Sequence, residues 1–361
     1  MKRARFDLLD GLRGVAAIVV MFYHYTQHNG LHYFGGAWVA VDLFFILSGF
    51  VIAHSYSKKI SEGMSFKEFM TFRLIRLGPL YILGLAIGLA SITISFINST
   101  EFLVSTRQIL TAGFFGIFWL PYFNNYSWPF GTENITGPIF PLNDPAWSLF
   151  FELAVNIIYF IYLNKFHKAP QLKLVIFLFV VFICVTIGFR QVNPGWGGEN
   201  FIFGFPRVVA EFFLGSLIYT LGSHNKHYSK PFIIFIGIAT FFCFFIGSGK
   251  IAFICSLTLI PMTVIVMSTV TVTGYFRKVC KILGDISYPL YILHFPMYRL
   301  VYELFGMNAL TPQVQTILIG SFCILMSLIL MKFDLILRNK IVEIFTKKEN
   351  KQLNYSATKG I

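Results

Sequence analysis

Ionisable side chains set inside otherwise apolar stretches are the residues of this sequence with the means to do chemistry. LDGLRGVAAIVVMFYHY carries Asp10, Arg13 and His24. On a helix, Arg13 and His24 share one face about 16 Å apart along the axis, with Asp10 one turn before Arg13. An imidazole titrates nearest neutral pH and passes protons, and a guanidinium offers fixed donors to anions. Asp42 lies in VAVDLFFILSGFVI and Glu152 in DPAWSLFFELAVN, about 9 Å along its helix from Ala146. Arg207 and Glu211, in FPRVVAEFFLGSL, are one turn apart and can pair on their own helix. His294 sits near mid-depth of ISYPLYILHFPM. FRLIRLGPLY places Arg73 and Arg76 one turn apart, a spacing that lets two guanidiniums fork onto phosphate oxygens. The same spacing is what an ordinary orientation signal looks like.

A charge at the centre of a membrane helix costs about 2.5 to 3.5 kcal/mol, so each of these groups requires a partner or a water-filled cavity. The elements that must carry them follow from composition. Of 361 residues, 56% are hydrophobic and only 12% charged, more apolar surface than one soluble core hides. The surplus faces lipid. Apolar stretches of spanning length recur at 8–27, 37–56, 79–97, 146–163, 171–189, 201–221, 231–248, 251–272, 282–304 and 313–331, which predicts an all-α bundle of about ten transmembrane helices. The polar groups then line a channel through it.

The net charge of +13 sits in short clusters between apolar segments, which argues against a nucleic-acid binder and for a positive-inside topology. With Lys2, Arg3 and Arg5 in the cytoplasm and 107–122 taken as a re-entrant or surface element, every basic loop falls inside. Both termini are then cytoplasmic. His24 lies toward the outer third of the bilayer and Arg13 toward the inner. Counting 107–122 as a crossing inverts every later loop. Residues 98–144, with several Pro, Gly and Asn, form an outer excursion able to cover a site. The first apolar stretch runs too long for a cleavable signal and is expected to stay as the first span. The membrane domain is expected to end near residue 335, with 336–361 a basic cytoplasmic tail, an interfacial helix followed by disorder. Five cysteines show no paired spacing for zinc or disulfides, and no metal site is expected. His28, His32, His54, His167, His224 and His227 lie at span ends or in loops and are assigned nothing.

LDGLRGVAAIVVMFYH, VAVDLFFILSGFVI, FRLIRLGPLY, WSLFFE, RVVAEFFLGSLIY and ISYPLYILHFP, in this order, make the chain up to about residue 335 closely resemble the acyltransferase-3 family of bacterial membrane O-acyltransferases. The resemblance implies about ten spans in the cytoplasmic (inner) membrane. It implies a cytoplasmic acyl-CoA donor, usually acetyl-CoA, and transfer to a hydroxyl of a cell-surface or lipid-linked glycan at the outer face. Arg13 and His24 match the family's first-helix pair, Arg73 and Arg76 its cytoplasmic pair, and Ser48, Gly49 and Phe50 its Ser-Gly-Phe signature. Some members append an extracellular hydrolase-like domain, for which this chain is expected to have no room.

Acyl transfer to an alcohol needs a base, a site for the developing oxyanion and an aligned acyl group. The expected base is His24, with Glu152 or Asp42 orienting its ring. Arg73 and Arg76 are expected to hold the CoA phosphates, with Arg13 on the path of the CoA arm. Asp10, Ser48, Arg207, Glu211 and His294 are expected to line the channel or to serve structure. Acyl-CoA is a substrate on this reading and no cofactor stays bound; the partners are that donor, a hydroxyl acceptor and lipids. Direct transfer and an acyl-histidine intermediate both stay open. The competing class is a transporter or flippase, but the ten spans show no internal repeat. A non-catalytic sensor would have little use for so many buried charges.

Overall fold

The computed structural model describes residues 6–98, 105–123, 126–127, 132–133, 137–247, 249–306 and 309–359, with 126–127, 132–133 and 345–359 by backbone alone. Lys2, Arg3 and Arg5 lie outside the described residues, as do parts of the 98–144 excursion. The chain is a helical bundle in the order α1 (Asp7–His28), α2 (Val39–Ser61), α3 (Phe66–Asn98), α4 (Thr106–Ile117), α5 (Ala146–Phe166), α6 (Leu172–Phe189), α7 (Gly204–Thr220), α8 (Lys230–Cys243), α9 (Gly249–Met267), α10 (Gly274–Phe305) and α11 (Pro312–Lys359). A two-residue antiparallel ladder, Tyr126–Ser127 with Thr132–Glu133, lies in the excursion.

Each of the ten apolar segments coincides with a helix. Eight of these helices are long and apolar enough to cross a bilayer. The other two depart for different reasons. Helix α8 has 14 residues, about 21 Å, against a hydrocarbon core of about 30 Å. Helix α10 has 32 residues, but charged groups such as Arg277, Lys278 and Arg299, with the polar His294 and two prolines, leave it less apolar than the eight. Helix α4, with 12 residues, is too short to cross, and it exposes Leu110, Phe114 and Ile117 along one side. Helix α11 runs without a break past residue 335, with Asp334 paired to Arg338 at 2.5 Å.

The bundle has a centre and a rim. In the apolar window of α2, 67% of residues are buried; in that of α6, 17%. Large side chains of α6 such as Ile176, Phe177 and Ile187 face outward, as expected where lipid replaces a packing partner. Helix α1 packs on α10, α2 on α7, and α10 also touches α3 and α11.

Small residues set how close these helices come, the usual device between helices in lipid. A Cβ built on Gly49 would stand 1.9 Å from the Phe212 carbonyl oxygen, and one on Gly215 would stand 1.9 Å from that of Ile46. The glycine of the Ser-Gly-Phe signature is therefore the α2–α7 contact. Gly49→Ala is expected to cost about 1–3 kcal/mol through overpacking, read as a lower thermal midpoint of the detergent-solubilised protein. An unchanged midpoint would remove Gly49 from this role.

Proline creates the anchor for the outer loop. Pro296, inside α10, has no N–H for the Ile292 carbonyl. Asn143 Nδ2 donates to that oxygen instead, at 3.0 Å. The chain entering α5 is thereby tied to α10.

Candidate active site

Two cavities lie one above the other between α1, α2, α5 and α10. The inner one, about 100 Å³, is lined by Arg13, Ser48, Arg73, Arg76, Glu152, Ser287, Tyr288 and Tyr291 among apolar groups. The outer one, about 300 Å³, is lined by Tyr23, His24, Gln27, Trp38, Asp144, Trp147, Asn193, Trp196 and Tyr291. Tyr291 belongs to both walls. Its hydroxyl lies 2.8 Å from Ser148 Oγ, so a hydrogen-bonded pair of hydroxyls separates the chambers.

In the inner chamber, Arg13 Nε donates to Ser287 Oγ at 2.8 Å and Nη2 to the Gly284 carbonyl at 2.9 Å, with Asp10 3.4 Å away. This reach to a backbone oxygen requires the close α1–α10 approach: a Cβ on Gly284 would stand 2.7 Å from that of Asp10. Arg73 donates to Glu152 Oε1, which also accepts from Ser48 Oγ at 3.1 Å. The two arginines expected to act as a pair are therefore divided. Arg73 is 2% exposed and neutralised by Glu152, because a buried guanidinium needs a counter-charge. Arg76 is exposed and has no carboxylate partner among the described residues. It is the guanidinium free to receive an anion at the mouth.

In the outer chamber, His24 Nδ1 lies 2.8 Å from His294 Nε2, with the rings stacked at 5.0 Å. The far end of this chain sets the tautomers. His294 Nδ1 faces the Leu290 carbonyl at 3.0 Å, and a carbonyl only accepts, so that nitrogen carries the proton. In the neutral ring Nε2 is then the acceptor, and His24 Nδ1–H donates to it. The remaining nitrogen, His24 Nε2, keeps its lone pair.

This corrects the expected partner of His24. Neither Glu152 nor Asp42 orients its ring. Glu152 is held by Arg73 in the inner chamber, and Asp42 is held by Arg207, whose Nε donates to Asp42 Oδ1 at 2.7 Å. The physical reason is charge: each carboxylate sits opposite a buried guanidinium, and pairing there relieves more desolvation than a neutral imidazole would. Arg207 pairs chiefly across to α2; Glu211 on its own helix stands at 3.9 Å. Arg207 also donates through Nη1 to Asn193 Oδ1 at 2.7 Å and to the Pro194 carbonyl at 3.0 Å. Its guanidinium lies 5.6 Å from the Trp38 ring and 5.8 Å from the Trp147 ring. Behind the outer chamber, one side chain thus holds three of its lining residues.

His294 as partner, and Tyr291, Asp144, Trp38, Trp147, Trp196 and Asn193 as lining, are absent from the sequence reading. One signal for the α10 residues was present. Gly284, Ser287, Tyr291 and His294 recur at helical spacing as a small and polar stripe on an apolar helix.

Residues 6–332 match the family model described as "Acyltransferase domain". The chain belongs to this family. This acyltransferase is 40% identical over 163 residues, 43% of its length, to "Protein 2 in picA locus" of Rhizobium radiobacter, covering 81% of that protein. It is 24% identical over 318 residues to the peptidoglycan O-acetyltransferase OatA of Listeria monocytogenes, an alignment covering 81% of this chain and 49% of the relative. Against the O-acetyltransferase OatA of Staphylococcus aureus it is 24% identical over 320 residues, covering 80% and 50%. The acyltransferase thus spans about half the length of these two relatives. No solved structure matches it.

Proposed function

We propose that this acyltransferase is a membrane O-acetyltransferase. It takes an acetyl group from cytoplasmic acetyl-CoA and delivers it to a hydroxyl of a surface or lipid-linked glycan on the outer face of the bacterial cytoplasmic membrane. The observation that carries the reading is the His24 Nε2 lone pair, left free by the Leu290–His294–His24 chain at a cavity. The two OatA relatives are named for O-acetyl transfer.

On this reading the chain crosses the bilayer about ten times with both termini inside. Arg277 of α10 pairs with Asp7 at the start of α1 at 2.9 Å, and Lys58 and Lys59 end α2. Basic groups at that end favour a cytoplasmic side, and the proposed direction accordingly has the Arg76 mouth inside and His24 outside. The CoA phosphates meet Arg76; the pantetheine arm passes Arg13; the thioester meets the acceptor at the Tyr291 wall. His24 Nε2 takes the hydroxyl proton while the oxygen bonds to the acyl carbon. The C–S bond then breaks, and the thiolate leaves with the proton from the imidazolium. His294 keeps the ring in the productive tautomer throughout.

Deleting the coding region in the source organism should remove base-labile acetate from its surface glycan, and the intact protein should restore it. Retention of every acetyl group in the deletion strain would overturn the reading. Arg76→Ala is expected to raise the acetyl-CoA KM roughly tenfold or more with little change in kcat, since a hydrogen bond between charged groups is worth about 1.5–3 kcal/mol. An unchanged donor KM would take Arg76 out of this role.

A further inference from the structure

The outer chamber contains one carboxylate, that of Asp144. Its Oδ1 is enclosed and has no hydrogen-bond partner. Other acidic groups beside the path face guanidiniums: Asp10 faces Arg13, Glu152 faces Arg73 and Asp42 faces Arg207, while Glu211, behind the chamber, stands 3.9 Å from Arg207. The titratable groups facing Asp144 are His24 and Tyr23 from α1 and Tyr291 from α10. The Arg207 guanidinium behind this chamber points at Asp42 and Asn193. An enclosed carboxylate oxygen with no cation and no donor is costly unless a ligand supplies one.

The position is also held firmly. Asn143 is fixed to Ile292, and the Asp144 carbonyl accepts the Trp147 N–H as α5 begins. The rings of Trp38, Trp147 and Trp196 line the same cavity. They offer flat apolar faces for a sugar ring whose edge presents hydroxyls.

We propose that Asp144 is the acceptor-positioning residue of the outer chamber: its carboxylate accepts a hydrogen bond from a second hydroxyl of the sugar, turning the first toward His24 Nε2. The acceptor is therefore a polyol ring with at least two free hydroxyls and no anionic substituent at this end, which the carboxylate would repel. This rests on the glycan-acetylating reading above and adds a residue to it. Asp144 forms no bond to the acetyl group, and its protonation is unchanged across the reaction.

Burial pushes the Asp144 carboxyl up to about 7. The charged acceptor of the hydrogen bond is then lost as the pH falls below that value, and transfer declines on the acid side. The test uses membranes of the deletion strain carrying each variant, radiolabelled acetyl-CoA, and surface glycan purified from the deletion strain. Asp144→Asn should raise the glycan KM roughly tenfold or more, against a much smaller change in the acetyl-CoA KM, and remove the acid limb near pH 7. A wild-type glycan KM, or an acid limb unmoved in the variant, would overturn the assignment and return the limb to His24. If Asp144→Asn does not accumulate, Asp144→Glu decides. It keeps the charge one methylene further on and should raise the glycan KM and shift the limb; a wild-type glycan KM together with an unmoved limb would overturn the proposal. Full transfer by a His24 variant would instead sink the underlying reading, whatever Asp144 does.

Discussion

Replacing His24 with alanine is expected to lower acetyl transfer by about 10²- to 10⁴-fold, the range a positioned base supplies, with the acetyl-CoA KM left near its wild-type value. The separation follows from position. His24 lines the outer cavity, whereas Arg76 lines the inner one. A variant that lost both would be reporting misfolding. The partner ring sharpens the test. His294→Gln keeps an oxygen able to accept from His24 Nδ1–H and should retain part of the activity. His294→Leu removes that acceptor, frees the His24 tautomer and should approach the His24→Ala rate. Normal transfer by His24→Ala, or equal rates for the two His294 variants, would remove the histidine chain from the mechanism.

Arg207→Met is expected to be the most destabilising single change, at about 3–5 kcal/mol. Arg207 and Asp42 are wholly buried and Glu211 is 2% exposed, so removing the guanidinium strands two acidic groups away from water. It also releases Asn193, the Pro194 carbonyl and the two indole faces. The expected readout is a large drop in thermal midpoint and in folded yield from detergent. Pairing it with Asp42→Leu should recover much of that stability, because replacing both members of a buried ion pair by apolar groups costs far less than breaking it. Transfer should stay low in the double variant, since Asn193, Trp38 and Trp147 lose the group that holds them. A stable Arg207→Met protein, or a double variant no better than the single, would contradict this account.

Both outcomes depend on a difference between being ionisable and being available. Eleven polar residues in and beside the apolar stretches stand out in the sequence, and every one of them is found at or just behind the two cavities or on the pairs that brace them. Their pairing is another matter. Spacing along one helix predicts Asp10 beside Arg13 and Arg207 beside Glu211; the first contact is there, and the second yields to Asp42 across the α2–α7 contact. Arg73 and Arg76 are equivalent by spacing and different by burial, because Glu152 of α5 comes within reach of only one of them.

The sequence by itself determined the solvent of this protein, its helical class and the family to which it belongs. Lipid admits no unpaired backbone, so apolar stretches of spanning length become helices whatever their neighbours do. The tertiary structure decided which helix faces which. That choice turned His294 into the partner of His24, Glu152 into the counter-charge of Arg73, and three tryptophans with Asp144 into one wall. These contacts join residues from different segments of the chain, 79 positions apart for Arg73 and Glu152 and 270 for His24 and His294, and hydropathy along the chain does not encode them. They follow from glycine-permitted approaches such as Gly49 to Phe212 and from the need of each buried charge for an opposite one.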